Sequence, residues 1–265
     1  MLVTDAENSG NLAAVVEQFA DDKATRQQLA TANNLPVTSF IDRHDSVYRL
    51  SYYYPACEMA LCMHGTLAAA RRLFNYASST ELLVETAEGQ TLTLLKGAEY
   101  FYEIAVGAGK VLLMPVPESE ILAMLNTRAA AIDRDLPCCI ATIGSPKLLI
   151  PIQNLPTSAG LQPDFAKILA WSMANGVNGL YVYCQETLGK ADFHARAFNP
   201  KGGLNEDAAT GVAAAALLTA LDSRSAIVVE QGHGMKQASL IHVRKDHKAI
   251  YIGGRVLAIA KPSIV

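Results

Sequence analysis

The stretch Asn205-Glu206-Asp207-Ala208-Ala209-Thr210-Gly211-Val212, which runs on into the alanines and leucines of residues 213–221, decides how the rest of the chain is read. Two carboxylates and a Thr-Gly pair precede a helix too apolar to face water, so this helix belongs between other layers. Its unsatisfied N-terminal amides and the positive end of its dipole then point back at the loop. An anionic group such as a substrate carboxylate can be held there. Taken alone, the stretch favours a plainer reading in which Asp207 only caps the helix.

A second stretch changes that balance. Cys62-Met63-His64-Gly65-Thr66 followed by Leu67-Ala68-Ala69-Ala70 repeats the design of a polar residue, a glycine and a small-residue helix. Aligning Gly65 with Gly211 gives an offset of 146 (211 minus 65). An apolar strand ending in glutamate follows each helix, Leu82 to Glu85 and Ile227 to Glu230, at an offset of 145 (230 minus 85). The chain therefore reads as two similar halves, residues 1–116 and 117–248, with the segment at 249–265 able to return to the first. A ligand site is expected between them, because pockets favour domain interfaces.

The remaining elements follow from local signals. Helical spacing is read over 23–33, with Asp21 or Asp22 as cap and Asn33-Asn34 as stop, over 64–74, over a segment capped by Ser119 and running to about Ala131, and over 164–175. Strands are read at 2–6, 35–42, 46–54, 81–86, 90–96 and 100–106 in the first half. In the second they are read at 138–143, 146–151, 152–155, 178–184, 192–198, 226–230, 237–244 and 248–260. The lone Trp171 is assigned to the core.

Composition bounds the function. At 265 residues and 51% hydrophobic content the chain can bury two modest cores. A net charge of −3 gives no basic field for nucleic acid. The cysteines, Cys57, Cys62, Cys138, Cys139 and Cys184, are odd in number and lack metal-ligand spacing, which points to a reducing cytoplasmic compartment. The N-terminus has no signal-peptide pattern, and the longest apolar runs are too short to span a bilayer.

The assembled motifs resemble the phenazine-biosynthesis F-type (PhzF-like) isomerases. The matching residues are Gly10-Asn11, Asn34-Leu35 through Phe40, Tyr54-Pro55 with Glu58, Cys62 with His64 to Ala68, Arg196-Ala197-Phe198, Glu206 to Gly211, and Gln231-Gly232. The resemblance implies the diaminopimelate-epimerase-like α+β fold of two pseudo-symmetric halves, each a mixed β-sheet rolled around a central buried helix. It also implies an isomerase, expected as a cytoplasmic homodimer, that moves a proton within a small organic acid or amino-acid-like metabolite without metal or organic cofactor. The family histidine falls on His64 and the aspartate on Asp207. Asn11, Cys62, Gly65, Thr66, Glu206, Thr210 and Gly211 are the expected substrate contacts. The glutamate that serves as acid/base in the best-known members falls on Val37, which cannot exchange a proton. Met63, Ala208 and Val212 likewise replace a motif glycine, proline and serine.

These substitutions frame the remaining candidates. Racemases of this fold use one thiol from each half, but the repeat places the partner position of Cys62 at Ala208, which argues against a two-thiol reaction. Cys62 reads first as a buried structural thiol and second as a single base, since a helix N-terminus lowers a thiol pKa. His64, with an ordinary pKa near 6.5, can act as acid or base if Asp207 faces it. Glu58 and Glu206 read as loop ties, His233 as a turn residue. Asp42, His44 and Asp45 lie too far along their strand to replace the missing glutamate. The alternative to an isomerase is a family member that has lost proton transfer and only binds a metabolite or supports a dimer.

Overall fold

In the computed structural model, which describes residues 2–3, 10–19, 22–45 and 47–259, both apolar helices are present and both are enclosed. The chain divides into two units, one comprising the residues up to Val106 together with those from Tyr251 onward, the other Gly107–Ile250.

The first unit contains β1 (Leu2–Val3), β2 (Asn11–Leu12), β3 (Ala14–Glu17), α1 (Lys23–Asn33), β4 (Thr38–His44) and β5 (Val47–Tyr53). It continues with β6 (Glu58–Met59), α2 (Met63–Leu73), β7 (Glu81–Thr86), β8 (Thr91–Lys96) and β9 (Phe101–Val106). Helix α1 starts where Asp22 accepts the Thr25 amide and stops where Asn34 turns left-handed at φ 48°. Strands β3 and β4 are parallel, as are β5 and β7. Each such pair needs a crossover, which α1 and α2 supply. Helix α2 packs on β1, β3, β4, β5, β8 and β9. Ala68, Ala69 and Ala70 are fully buried in it, and small side chains let the sheet close around the helix.

The second unit repeats this order. It holds β10 (Lys110–Leu112), α3 (Glu118–Leu125), β11 (Cys139–Thr142), β12 (Lys147–Pro151), α4 (Leu155–Gly160), α5 (Phe165–Asn175) and β13 (Leu180–Cys184). Then come β14 (Phe193–Asn199), β15 (Leu204–Asp207), α6 (Gly211–Ala220), β16 (Ala226–Gln231) and β17 (Ser239–Lys245). The parallel pairs are β12 with β13 and β14 with β16. Helix α6 packs on β10, β11, β12, β16 and β17. Ala213 to Leu218 are all fully buried, so a larger side chain there would cost about 1–3 kcal/mol by overpacking. A second apolar layer on the other face joins α3 and α5 to Leu148, Ile150, Val182 and Phe198.

The repeat read from the sequence reappears as strand register. Tyr48 lies opposite Val84, and Phe193 opposite Val229, so both partners are displaced by 145 (193 minus 48 and 229 minus 84). The next positions carry Arg49 with Glu85 in one unit and His194 with Glu230 in the other.

Four expectations are corrected. The unit boundary falls at residue 106 rather than 116, because β10 pairs with β11 and draws the intervening residues into the second unit. The helix expected to reach Ala131 ends at Leu125, where Asn126 adopts φ 46°, and a separate 3-10 turn spans Ala129–Ala131. Residue 155, expected to end a strand, instead opens α4, since the Asn154 side chain accepts the Thr157 amide and Pro156 suits a first turn. The presumed loop at 205–207 is strand β15, paired with β14 across a bulge. Of the strand expected at 2–6, residues 4–6 lie outside the described residues, as does Asp21.

The last strand, β18 (Ile250–Leu257), pairs with β1, Leu2 opposite Leu257 and Val3 opposite Val256, and with β9. Among the described residues no helix is long and apolar enough to cross a membrane.

Candidate active site

In the first unit the site is built on the N-terminus of α2. Gly65 sits so close to β4 and β5 that an added Cβ would meet Ser39 Oγ at 2.5 Å, with Tyr52 and Val37 at 3.3 Å. The side chain at the position of the family glutamate therefore packs under the mouth of this helix. It is a fully buried valine. Beside it, the buried Ser39 and Thr38 hydroxyls have no hydrogen-bond partner among the described residues.

Cys62 is the N-cap residue of α2, 4% exposed, with its Sγ 3.3 Å from His64 Nδ1 and 3.7 Å from the Tyr54 hydroxyl that donates to it. Burial pushes the thiol pKa up. His64, the Gly65 amide and Tyr54 outweigh it, so the net shift is downward. The geometry thus joins Cys62 and His64 into a thiol–imidazole pair, the arrangement that activates a thiol as nucleophile or base. Thr66 is turned inward: its hydroxyl donates to the Cys62 carbonyl at 2.8 Å and meets the Tyr52 hydroxyl at 2.6 Å. Asn11, on β2, is 3% exposed. Asp42 is held by Arg26 through two bonds of 2.7 Å, which agrees with the reading that it does not replace the glutamate.

In the second unit the N-terminus of α6 carries Thr210 as N-cap residue. Asp207 lies three residues before it and does not occupy the cap position. Its carboxylate accepts the Thr210 hydroxyl at 2.7 Å and the Ala209 amide at 3.4 Å. Gln231 fixes this turn from beneath. Its amide nitrogen donates to the Asp207 carbonyl at 2.7 Å, and its oxygen accepts the Thr210 amide at 3.3 Å and the Tyr181 hydroxyl at 3.2 Å. Gly232, at φ +86°, passes so near the Ala208 carbonyl that an added Cβ would lie 2.7 Å from it. Glu206 is bound to Arg196 by two bonds of 2.9 Å, and Arg196 also donates to the Ser158 carbonyl at 2.7 Å. That bidentate pair ties β14 to β15.

Lys147 was not foreseen. It is 3% exposed, donates to the Asn178 carbonyl, and has its pKa pulled down to about 8 by burial, offset in part by Asp207. The only hint in the sequence is a lysine opening an otherwise apolar and wholly buried strand. A buried lysine with its pKa lowered to about 8 carries a proton it can release just above neutrality. Tyr54 is only a motif residue in the sequence; its hydrogen bond to the thiol depends on the turn that brings the Tyr54 amide to the Cys57 carbonyl. Among the described residues no cluster of three metal-ligating side chains lies at either helix mouth.

Comparison with known proteins agrees with this architecture. An uncharacterised isomerase of Deinococcus radiodurans is 28% identical, over 95% of this chain and 88% of its own. One of Pseudomonas aeruginosa is 27% identical, over 93% and 90%. The crystal structure of a Bacillus anthracis phenazine biosynthesis protein of the PhzF family superposes with a TM-score of 0.85 at 22% identity, over 96% and 93% of the two chains. A PhzF-family protein of Enterococcus faecalis gives 0.79 at 25%, over 96% and 92%. A probable proline racemase of Agrobacterium radiobacter shares the fold at a TM-score of 0.53 and 12% identity, over 96% and 92%. Residues 3–261 match the PhzC-PhzF family of phenazine biosynthesis-like proteins, and the chain belongs to it.

Proposed function

We propose that this protein is a cofactor-independent isomerase that moves a proton within a small carboxylate-bearing metabolite, with the Cys62–His64 pair exchanging the proton that Val37 cannot. The observation that carries this reading is the thiol of lowered pKa 3.3 Å from an imidazole at a helix N-terminus. A thiolate there can take a proton from carbon, and His64 can relay it. In the second unit Asp207, held by Thr210 and Gln231, is the polar group at the start of α6, and the helix amides there offer an anion-binding position, as those at the start of α2 do in the first unit. The relatives named as isomerases support the reaction class.

A second reading, a metabolite-binding protein without catalysis, is favoured by one observation: Val37 fills the place of the acid/base with no exposed surface. Incubation in deuterated water with a panel of small amino and hydroxy acids separates the two. An isomerase washes solvent deuterium into the carbon it deprotonates, and Cys62→Ser abolishes the incorporation. Measurable binding without incorporation would establish the second reading, and a Val37→Glu variant that then gained incorporation would show that only the base is missing.

A further inference from the structure

On the second unit, away from the start of α6, three side chains converge from separate stretches of chain. His194 of β14 and Glu230 of β16 are cross-strand neighbours, and His233 follows in the 3-10 turn after β16. His194 Nδ1 lies 3.3 Å from Glu230 Oε1, and His233 Nε2 lies 3.7 Å from Glu230 Oε2. One donor atom from each of the three falls within 4.8 Å of the other two. The imidazole rings stand 5.5 Å apart at 32°. Side chains alternate along a strand, so Glu230 projects from the face opposite Gln231, the residue that fixes the Asp207 turn.

We propose that His194, Glu230 and His233 form a binding site for a divalent transition metal of the zinc class. Bonds of about 2.0–2.1 Å to zinc place tetrahedral donors roughly 3.4 Å apart; the two imidazoles lie 3.3 and 3.7 Å from the two Glu230 oxygens and the three donors within 4.8 Å of one another, so a bound ion needs only a small inward closure of the cluster. Two imidazoles with one carboxylate suit zinc or its neighbours, whereas calcium or magnesium would require more oxygen donors. The carboxylate is oriented in advance: the Leu188 amide donates to Glu230 Oε1 at 2.5 Å, which leaves Oε2 toward His233. Glu230 is 2% exposed, and a dication offsets the cost of burying its charge. His233, with its side chain 30% exposed, stands at the entry, and three protein donors leave a fourth position for water. The ion would pin β14, β16 and the 233–235 turn together on the side of the sheet away from Asp207.

The test is titration of the metal-stripped full chain with cobalt(II) and then zinc. One equivalent of cobalt should bind with visible ligand-field bands and without a thiolate charge-transfer band, and zinc should displace it. His233→Ala, in a turn at the edge of the cluster, should weaken binding by roughly 100-fold, the upper end of what even outer-shell partners contribute. Glu230→Gln should do the same. Absence of binding at millimolar cobalt would overturn the assignment, as would unchanged affinity in both variants. A thiolate band would also overturn it, by placing the cation on cysteines.

Discussion

Replacing Lys147 by methionine measures how strongly the second unit strains to keep a cation inside. Burial moves the lysine pKa from 10.5 to about 8 even with Asp207 nearby. At about 1.36 kcal/mol per pH unit this displacement corresponds to about 3 kcal/mol of stability. The sign follows from proton counts. Below pH 8 the amine is charged in both folded and unfolded chains, and the folded state carries the full cost. Between pH 8 and 10.5 the folded state releases its proton first, the unfolded chain holds more protons, and stability rises with pH. Lys147→Met lacks this rise. It also leaves the Asn178 carbonyl without its donor, at a cost of about 1–3 kcal/mol, so the two proteins should be close in stability at pH 7. Urea unfolding followed by circular dichroism at several pH values from 7 to 10 provides the assay. Wild type should gain about 2 kcal/mol on the variant across that range. Other groups titrate in both proteins and cancel in the difference. Parallel profiles for the two proteins would refute a buried, charge-strained lysine.

Two further perturbations address the helix mouths. His64→Gln should raise the Cys62 pKa, because the imidazole is the strongest of the influences that lower it; a titration of thiolate ultraviolet absorption against a Cys62→Ser control reads the midpoint, and an unmoved midpoint would dissolve the proposed pair. Gln231→Leu removes the acceptor of the Thr210 amide and Tyr181 hydroxyl and the donor to the Asp207 carbonyl, which should cost about 3 kcal/mol in urea unfolding. A loss below about 1 kcal/mol would mean that the Asp207 turn is held by other contacts.

Much of the architecture is legible in the sequence because it rests on local chemistry. The alanine-rich runs of α2 and α6 announce buried helices, and the paired glutamates Glu85 and Glu230 disclose a repeat that the strand registers restate. Strand β15 is hidden because Leu-Asn-Glu-Asp has no strand-forming pattern; pairing with β14 imposes the conformation. The early end of α3 depends on Asn126 turning left-handed, which its apolar spacing does not announce. The candidate site is proposed from residue identity, at His64, Asp207 and Val37. It is hidden where burial changes chemistry. Lys147 becomes unusual only once the fold buries its amine against the Asn178 carbonyl, and the closeness of Cys62 to His64 requires the particular first turn of α2.

The placement of β18 also bears on synthesis. Its partners β1 and β9 leave the ribosome before Gly107–Ile250 has been made, and they stay without their shared neighbour until that whole segment has passed. The first unit therefore emerges first and finishes last. The second unit, continuous in the chain, can complete its sheet while the first still exposes two open strand edges, which makes this interval the one in which a nascent chain most needs protection from pairing with its neighbours.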